Sequence, residues 1–371
     1  MQINKSKKTI IICSNYGWTI YNFRFSLIKE LKKRKYKVIV ITQFDGYEKK
    51  IAKEVDEIYP LNISREGINP FVDIITFFDL FNKFKKYKPD EIFCFTIKPV
   101  IYGALAARFL NIKMNVMITG LGTVFIKKNW ITTVVKLLYR VALKDVKTAF
   151  FQNKDDKFLF IKNKLIKEDQ CKLVPGSGVD TDKFHYIQLT DDKITNFLFI
   201  GRMIKDKGIN ELIDAAKKLR EENIDFKLQF LGPCEVQNRT AISKIEIMNW
   251  EKEGLIEYLG ETNDVRKFIT DTHCVVLPSY REGTPKSLLE SCSMGRPVLA
   301  TDVPGCREVV EHGNNGLLCA VENSNDLADK MKEFIEISHK DRIKMGEAGR
   351  LKIKNTFSDI KVLNIMLSDL S

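Results

Sequence analysis

The stretch Tyr280-Arg-Glu-Gly-Thr-Pro-Lys-Ser-Leu-Leu-Glu-Ser-Cys-Ser-Met-Gly-Arg-Pro-Val-Leu-Ala-Thr301 sets two carboxylates, Glu282 and Glu290, around a loop-to-helix junction. An apolar run, Cys274 to Leu277, precedes it and another, Val298 to Ala300, follows, so the pattern reads strand, loop, helix, strand. Pro285 suits the start of the helix, where its missing N–H costs nothing, and Leu288, Leu289 and Cys292 recur where one face would pack on a sheet. At such an N-terminus the N–H groups of Gly283 and Thr284 and the helix dipole favour an anion, and Lys286 adds charge. Glu282, in the loop, is placed to meet polar groups of a ligand. Glu290, further along the helix, could accept hydrogen bonds from a vicinal diol such as a ribose. Phosphate and diol together suggest a nucleotide.

Outward from this unit, short β-branched runs alternate with amphipathic stretches, the signature of βα units and parallel sheets. A first series has strands near Thr9 to Cys13, Lys37 to Thr42, Glu91 to Phe95, Met114 to Ile118 and Thr148 to Gln152, with helices that include Asn22 to Arg34 and Pro70 to Lys86. A second restarts at Asn196 to Gly201 and continues near Lys227 to Leu231, Ile256 to Leu259, Val275 to Leu277, Val298 to Ala300 and Gly316 to Cys319. The polar segment Gln188 to Lys193 between them reads as an interdomain linker. The expected fold is α/β: two doubly wound Rossmann-like domains, residues 1–187 and 188–355, with the carboxyl ends of their sheets facing a cleft that binds ligand.

The 371 residues exceed a usual single core and suit two. No run of eighteen apolar residues occurs, and the polar Met1 to Lys8 leads straight into a strand, so neither a signal peptide nor a spanning helix is expected. The eight cysteines stand singly without a CxxC pair, which reads as reduced, cytosolic thiols and no zinc. Charge is uneven. Residues 1–180 hold 33 Lys and Arg against 17 Asp and Glu, and the remainder 27 against 31. The basic half, including the run Lys29 to Lys37, could meet nucleic acid or an anionic membrane surface, or could be solvated helix faces.

Further residues could carry chemistry. Phe199-Ile-Gly-Arg-Met-Ile-Lys-Asp-Lys-Gly208 ends a strand and begins a helix, so Arg202 and Lys207, beside Gly201, sit where a diphosphate could lie. Thr119-Gly-Leu-Gly-Thr-Val-Phe125 follows a strand, and Gly120 and Gly122 either let backbone approach a phosphate or sugar or make a tight turn. Ser14 to Arg24 forms the first strand-to-helix turn, with Gly17 in it and Arg24 on the helix. Lys98 is the one side chain of the loop Phe95 to Gly103 that is charged at neutral pH; it binds a phosphate or is an exposed loop lysine.

Glu282 and Glu290, with the upstream Leu277-Pro-Ser-Tyr-Arg281, the downstream Met294-Gly-Arg-Pro-Val298 and Asp302-Val-Pro-Gly-Cys-Arg-Glu308, resemble the E-x7-E signature of family-4 retaining glycosyltransferases of the GT-B fold. Gly201 to Gly208 resembles that family's G-R-x4-K-G element. The resemblance spans nearly the whole chain and implies a nucleotide-sugar site in the second domain and a last helix, 356–371, that crosses back to the first. It also implies roles: Arg202 and Lys207 neutralise the departing diphosphate, Gly283 and Thr284 add backbone donors, and Glu290 holds the ribose. Glu282 meets donor-sugar hydroxyls or the positive character at the anomeric carbon, and does not act as a nucleophile. Gly17, Arg24, Lys98, Gly120 and Gly122 fall on the acceptor or phosphate side. The first turn has fewer glycines than many relatives, and no His stands near Lys98 where many have one. Asp180-Thr-Asp182 imitates a metal-binding D-x-D but resembles the connection leaving the first domain, so no metal and no cofactor beyond the donor are expected.

The implied activity is retaining transfer of a sugar (GalNAc, Gal, GlcNAc or Glc) from a UDP-sugar to a lipid-linked undecaprenyl-diphosphate saccharide in bacterial surface-glycan assembly. The protein would be cytoplasmic and peripheral at the inner membrane face, with no nucleic-acid partner. A nucleotide-sugar 2-epimerase of the same fold and a basic nucleic-acid-binding protein are the alternatives, although the sequence carries no nucleic-acid recognition motif.

Overall fold

Six-residue runs such as Thr9–Ser14 and Lys37–Thr42 are buried along nearly their whole length, as strands covered on both faces must be. In the computed structural model, which describes residues 7–64, 70–120, 130–236 and 238–370, the chain divides into two compact units. One comprises residues 1–177 and 362–371, the other 178–361.

The first unit holds β1 (Thr9–Ser14), β2 (Lys37–Thr42), β3 (Glu57–Pro60), β4 (Glu91–Phe95), β5 (Lys113–Ile118), β6 (Thr148–Phe151) and β7 (Cys171–Leu173), in the spatial order β3-β2-β1-β4-β5-β6-β7. Every pairing is parallel, and the order reverses next to β1, so the sheet is doubly wound. Its helices are α1 (Gly17–Phe23), α2 (Phe25–Lys33), α3 (Glu48–Ala52), α4 (Pro70–Tyr87), α5 (Ile97–Phe109), α6 (Trp130–Ala142) and α7 (Lys154–Lys162). Alternate strand residues feed two cores: Ile11, Cys13, Ile39 and Ile41 pack with Leu80, Phe84 and Val100, and Ile10, Ile12, Val38 and Val40 pack with Ile20, Leu27 and Ile28.

The second unit repeats the scheme with β8 (Thr195–Ile200), β9 (Phe226–Leu231), β10 (Glu257–Tyr258), β11 (Cys274–Leu277), β12 (Val298–Thr301) and β13 (Gly316–Cys319), in the order β10-β9-β8-β11-β12-β13 and again all parallel. Around it lie α8 (Ile209–Glu221), α9 (Lys244–Lys252), α10 (Arg266–Thr270), α11 (Lys286–Ser293), α12 (Cys306–Val309), α13 (Ser324–Glu336) and α14 (His339–Lys352). Val179 and Phe184 belong to this unit's core. A final helix, α15 (Asp359–Met366), starts in the second unit, and its Val362 and Met366, with Leu367, complete a core of the first. The α/β class, the two Rossmann-like units and the returning C-terminal helix are as the sequence implies.

Two details differ. The stretch expected as one helix, Asn22 to Arg34, starts earlier and breaks at Arg24, whose φ of −127° leaves the helical region between α1 and α2. The Phe95 to Gly103 segment is no loop: Lys98 lies in the first turn of α5. Among the described residues, no helix is long and apolar enough to cross a membrane.

Candidate active site

Three backbone connections meet at the carboxyl ends of β8, β11 and β12. The 3₁₀ turn Lys205–Lys207 leads from β8 to α8 through Gly208, whose φ of +71° suits a residue without a Cβ. A Cβ there would run into the Pro278 carbonyl, so the turn and the loop after β11 touch backbone to backbone. The Tyr280 N–H donates to the Asp206 carbonyl (3.0 Å), and the Tyr280 hydroxyl donates to Glu211 of α8 (2.7 Å). Burial and that carboxylate together hold the Tyr280 phenol above its ordinary pKa. After β12, Gly305 (φ +84°) fits against the Gly283 carbonyl in the same way.

This packing brings together side chains that stand 75 residues apart in sequence. The Lys207 ammonium pairs with the Glu282 carboxylate, and Ser279 Oγ donates to the same oxygen (2.7 Å). Glu282 and Lys207 are both largely covered, so the pair is shielded from bulk water and each fixes the other's position. Arg202, at the start of the turn, is exposed and makes no ion pair among the described residues. Gly201, next to it, donates its N–H to the Leu231 carbonyl (3.0 Å).

α11 begins directly after Pro285, which supplies no side-chain cap. Gly283 is buried and Thr284 half-buried in the approach to that N-terminus. One turn into the helix, Glu290 is 8 % exposed, and its carboxylate lies 3.6 Å from the Lys286 ammonium. Burial raises the Glu290 pKa above the usual carboxylate range, although Lys286 and Lys183 pull it down. The result is a buried carboxyl acceptor and a helix N-terminus on one short element, beside the cation and carboxylate of the neighbouring loop. Such a group of charges can take a diphosphate and a diol.

The remaining expected residues lie in the first unit. Gly17 opens α1, where Asp45 accepts from the Trp18 N–H (2.9 Å) and sits where a Cβ on Gly17 would be. Arg24 is 2 % exposed, its guanidinium lies 4.3 Å over the Phe95 ring, and its Nε finds no hydrogen-bond partner. No carboxylate pairs with it among the described residues, and burial lowers its pKa to about 9. Close by in register, Ser14 and Thr42 end neighbouring strands with buried hydroxyls that also lack partners. Lys98 is not an exposed loop lysine: it pairs with Asp73 at 2.8 Å, and both are mostly buried. Gly120 takes a φ of +114°, and Gly122 lies outside the described residues.

Sequence reasoning missed Ser279, Tyr280, Gly305, Asp45 and Asp73. The signal for Ser279 was its place three residues before Glu282; the others are partners distant in sequence. Asp180 accepts from the backbone N–H groups of Asp182 (3.0 Å) and Lys183 (2.9 Å), which makes it a turn residue. Among the described residues, no group of three His, Cys, Asp or Glu could hold a metal ion.

Residues 180–352 match the family described as glycosyl transferases group 1, and residues 10–153 the one described as glycosyl transferase 4-like. The chain is a glycosyltransferase of the GT-B fold. It resembles the family-4 transferases of lipopolysaccharide, O-antigen and capsule assembly. One similar protein is the N,N'-diacetylbacillosaminyl-diphospho-undecaprenol alpha-1,3-N-acetylgalactosaminyltransferase of Campylobacter jejuni, 29% identical over 340 residues that cover 87% of this chain and 88% of that one. Another is the UDP-Gal:alpha-D-GlcNAc-diphosphoundecaprenol alpha-1,3-galactosyltransferase of Escherichia coli, 26% identical over 80% of this chain and 78% of that one. Among solved structures, Anabaena HepE in complex with UDP-glucose shares the fold with a TM-score of 0.78 at 17% identity, over 98% of this chain and 100% of that one.

Proposed function

We propose that the protein is a retaining transferase that moves a hexose or N-acetylhexosamine from a UDP-sugar to a membrane lipid-linked diphosphate saccharide in bacterial surface-glycan assembly. The observation that carries the donor reading is the meeting of Lys207, Glu282 and the α11 N-terminus, with the buried Glu290 one turn further along. In this reading the diphosphate lies against Arg202, Lys207 and the start of α11, where Gly283 and Thr284 contribute backbone donors and Lys286 adds charge. Glu290 accepts from the ribose hydroxyls. As the sugar–phosphate bond breaks, negative charge gathers on the leaving diphosphate, and cations already held in place stabilise it more than they stabilise the intact donor. The Lys207–Glu282 pair then does two jobs: the ammonium faces the phosphate, and the carboxylate is held towards the sugar. The acceptor hydroxyl enters on the face the diphosphate leaves, with a diphosphate oxygen taking its proton.

The lipid-linked acceptor is supported by the names of the Campylobacter and Escherichia relatives, and the UDP-sugar by the Escherichia relative and by HepE. In the first unit, Arg24, which no carboxylate pairs among the described residues, offers positive charge towards an anionic group on the acceptor side, where Gly17 and Gly120 would let backbone approach; the charge of Lys98 is already balanced by Asp73. The test is a thermal-shift screen of nucleotide sugars in EDTA, followed by mass analysis of a reaction with lipid extract. The expected result is stabilisation by one or a few UDP-sugars and a mass increase of one sugar on a lipid-linked species, with chelator present. Conversion of the sugar without any acceptor would instead identify an epimerase. A requirement for magnesium or manganese would refute the charge assignment.

A further inference from the structure

The large apolar side chains that stand exposed in the second unit are scattered, whereas in the first unit most of them gather on three neighbouring helices, with Trp18, Phe44, Phe158 and Leu173 elsewhere. α4 presents Phe71, Ile74, Ile75 and Phe78 to solvent, spaced i, i+3, i+4 and i+7, so they form one stripe. Thr76, Leu80 and Phe84 on the other side of α4 are in the core, so both sides of the helix carry apolar residues. Phe71 is 79 % exposed, and Phe109, at the end of α5, is 74 % exposed with its ring 6.1 Å from that of Phe77. α6 adds Val134, Leu137 and Val141, again on one outward face. A patch of this extent on a water-soluble surface marks an interaction site.

The charges around it indicate the partner. Among the described residues, the carboxylates on these helices are already paired, Asp73 with Lys98 and Asp79 with Lys83; just past their ends Asp145 pairs with Arg108 and Asp90 accepts from the Thr9 N–H. Lys85, Lys86 and Lys144, at the far ends of α4 and α6, are exposed and have no carboxylate partner among the described residues. The basic run Lys29 to Lys37 is different: Lys32 pairs with Asp56, Arg34 with Glu30 and Lys37 with Glu57, and although Lys29, Lys33 and Lys35 are exposed, α2 presents no large apolar side chain to solvent beside them. Apolar stripes bordered by unpaired lysines are the make-up of a helix that lies in the plane of an anionic bilayer, with its apolar face among the acyl chains and its cations at the headgroups. We propose that the outward faces of α4 and α6, with Phe109, seat this protein on an anionic membrane surface. The proposal deepens the lipid-linked-acceptor reading and rests on it.

The test uses the full chain and vesicles of phosphatidylethanolamine with phosphatidylglycerol, against vesicles of phosphatidylcholine alone. Substituting Phe71→Ser, Ile75→Ser and Phe78→Ser together is expected to lower the partition onto the anionic vesicles by on the order of a hundredfold. Lys85→Glu with Lys86→Glu should lower it about tenfold or more on the anionic vesicles only, and Lys29→Glu with Lys33→Glu should leave it within about twofold. Phe78→Trp reports without disrupting the fold: added indole fluorescence should be quenched by bromine on the acyl chains. Equal pelleting of the triple-serine variant, or no quenching of the Phe78→Trp indole, overturns the proposal. So does a wild-type dimer in sedimentation velocity that the serine substitutions disperse, because a second copy then covers the face. Stabilisation by a UDP-sugar, measured on the same samples, separates the two readings: its absence from a wild type that still pellets rejects the donor site and leaves the membrane face standing.

Discussion

Replacing Glu290 by Gln tests the donor site through two opposed effects. The carboxylate is nearly enclosed, with Lys286 3.6 Å away, and burial raises its pKa. In the proposed complex it accepts from two ribose hydroxyls. The Gln amide keeps one accepting oxygen and turns a donor towards the second hydroxyl, so about one charge-assisted bond is lost, worth roughly 1.5–3 kcal/mol. UDP affinity should therefore fall by about ten- to 150-fold in isothermal titration at pH 8. Stability should move the other way. A carboxyl whose native pKa is raised binds its proton more tightly in the folded state than in the unfolded chain. Its contribution is fully present below the ordinary carboxylate range and is lost as pH rises through the raised native value. Gln has no such titration, so the stability of Glu290→Gln relative to wild type should climb with pH above the ordinary carboxylate range and then level off. Denaturant unfolding at several pH values measures that gap. Unchanged UDP affinity in a folded variant removes Glu290 from the site, and a gap that does not vary with pH refutes the buried-charge argument.

Arg202→Ala and Lys207→Ala should each lower kcat by on the order of 10²–10³ with saturating donor, since they act on charge that grows as the diphosphate leaves; the exposed Arg202 should shift Tm little, whereas Lys207→Ala should also lower Tm because it leaves the covered Glu282 carboxylate without its cation, and wild-type kcat in both would reject the phosphate assignment. Gly208→Ala should cost about 2 kcal/mol or more in denaturant unfolding, because a φ of +71° and the Pro278 carbonyl leave no room for a Cβ; a loss below about 0.5 kcal/mol would show that the two loops can part freely. Arg24→Met should raise stability by about 1–4 kcal/mol at neutral pH and slow transfer to the acceptor, because it removes a buried cation that no carboxylate among the described residues pairs. The native guanidinium binds its proton less tightly than the unfolded chain does, so the advantage of the Met variant should shrink above about pH 9. A less stable Arg24→Met would mean that the contact with Phe95 outweighs the desolvation.

Most of the fold was legible because parallel strands buried on both faces run apolar almost without interruption: Ile10 to Cys13, Val38 to Ile41 and Phe197 to Phe199 could scarcely be read otherwise. β3 and β7 were not, since these edge strands are short and partly exposed, and Glu57–Pro60 and Cys171–Leu173 lack the continuous burial that gives the others away. The break at Arg24 was hidden as well, because the apolar spacing of Ile20, Leu27 and Leu31 continues across it. At the site, the residue types were visible and the partners were not. Glu282 and Lys207 could each be singled out from local motifs, but their pairing depends on Gly208 and Tyr280 bringing two loops together. Lys98 misled because a lysine after a strand normally meets water, and Asp73, which holds it, lies 25 residues earlier in the chain.

The division of α15 between the two units governs the order in which this protein can mature. Val362, Met366 and Leu367 are buried among Ile10, Val38, Phe93 and Phe150, residues that leave the ribosome more than two hundred positions earlier. The first sheet can therefore gather during synthesis but keeps an open, greasy slot until the second unit has been made. A fragment that stops at residue 177 should be a chaperone client and prone to self-association. Supplying a peptide that carries residues 359–370 should close the slot and rescue its solubility, as a detachable keystone would.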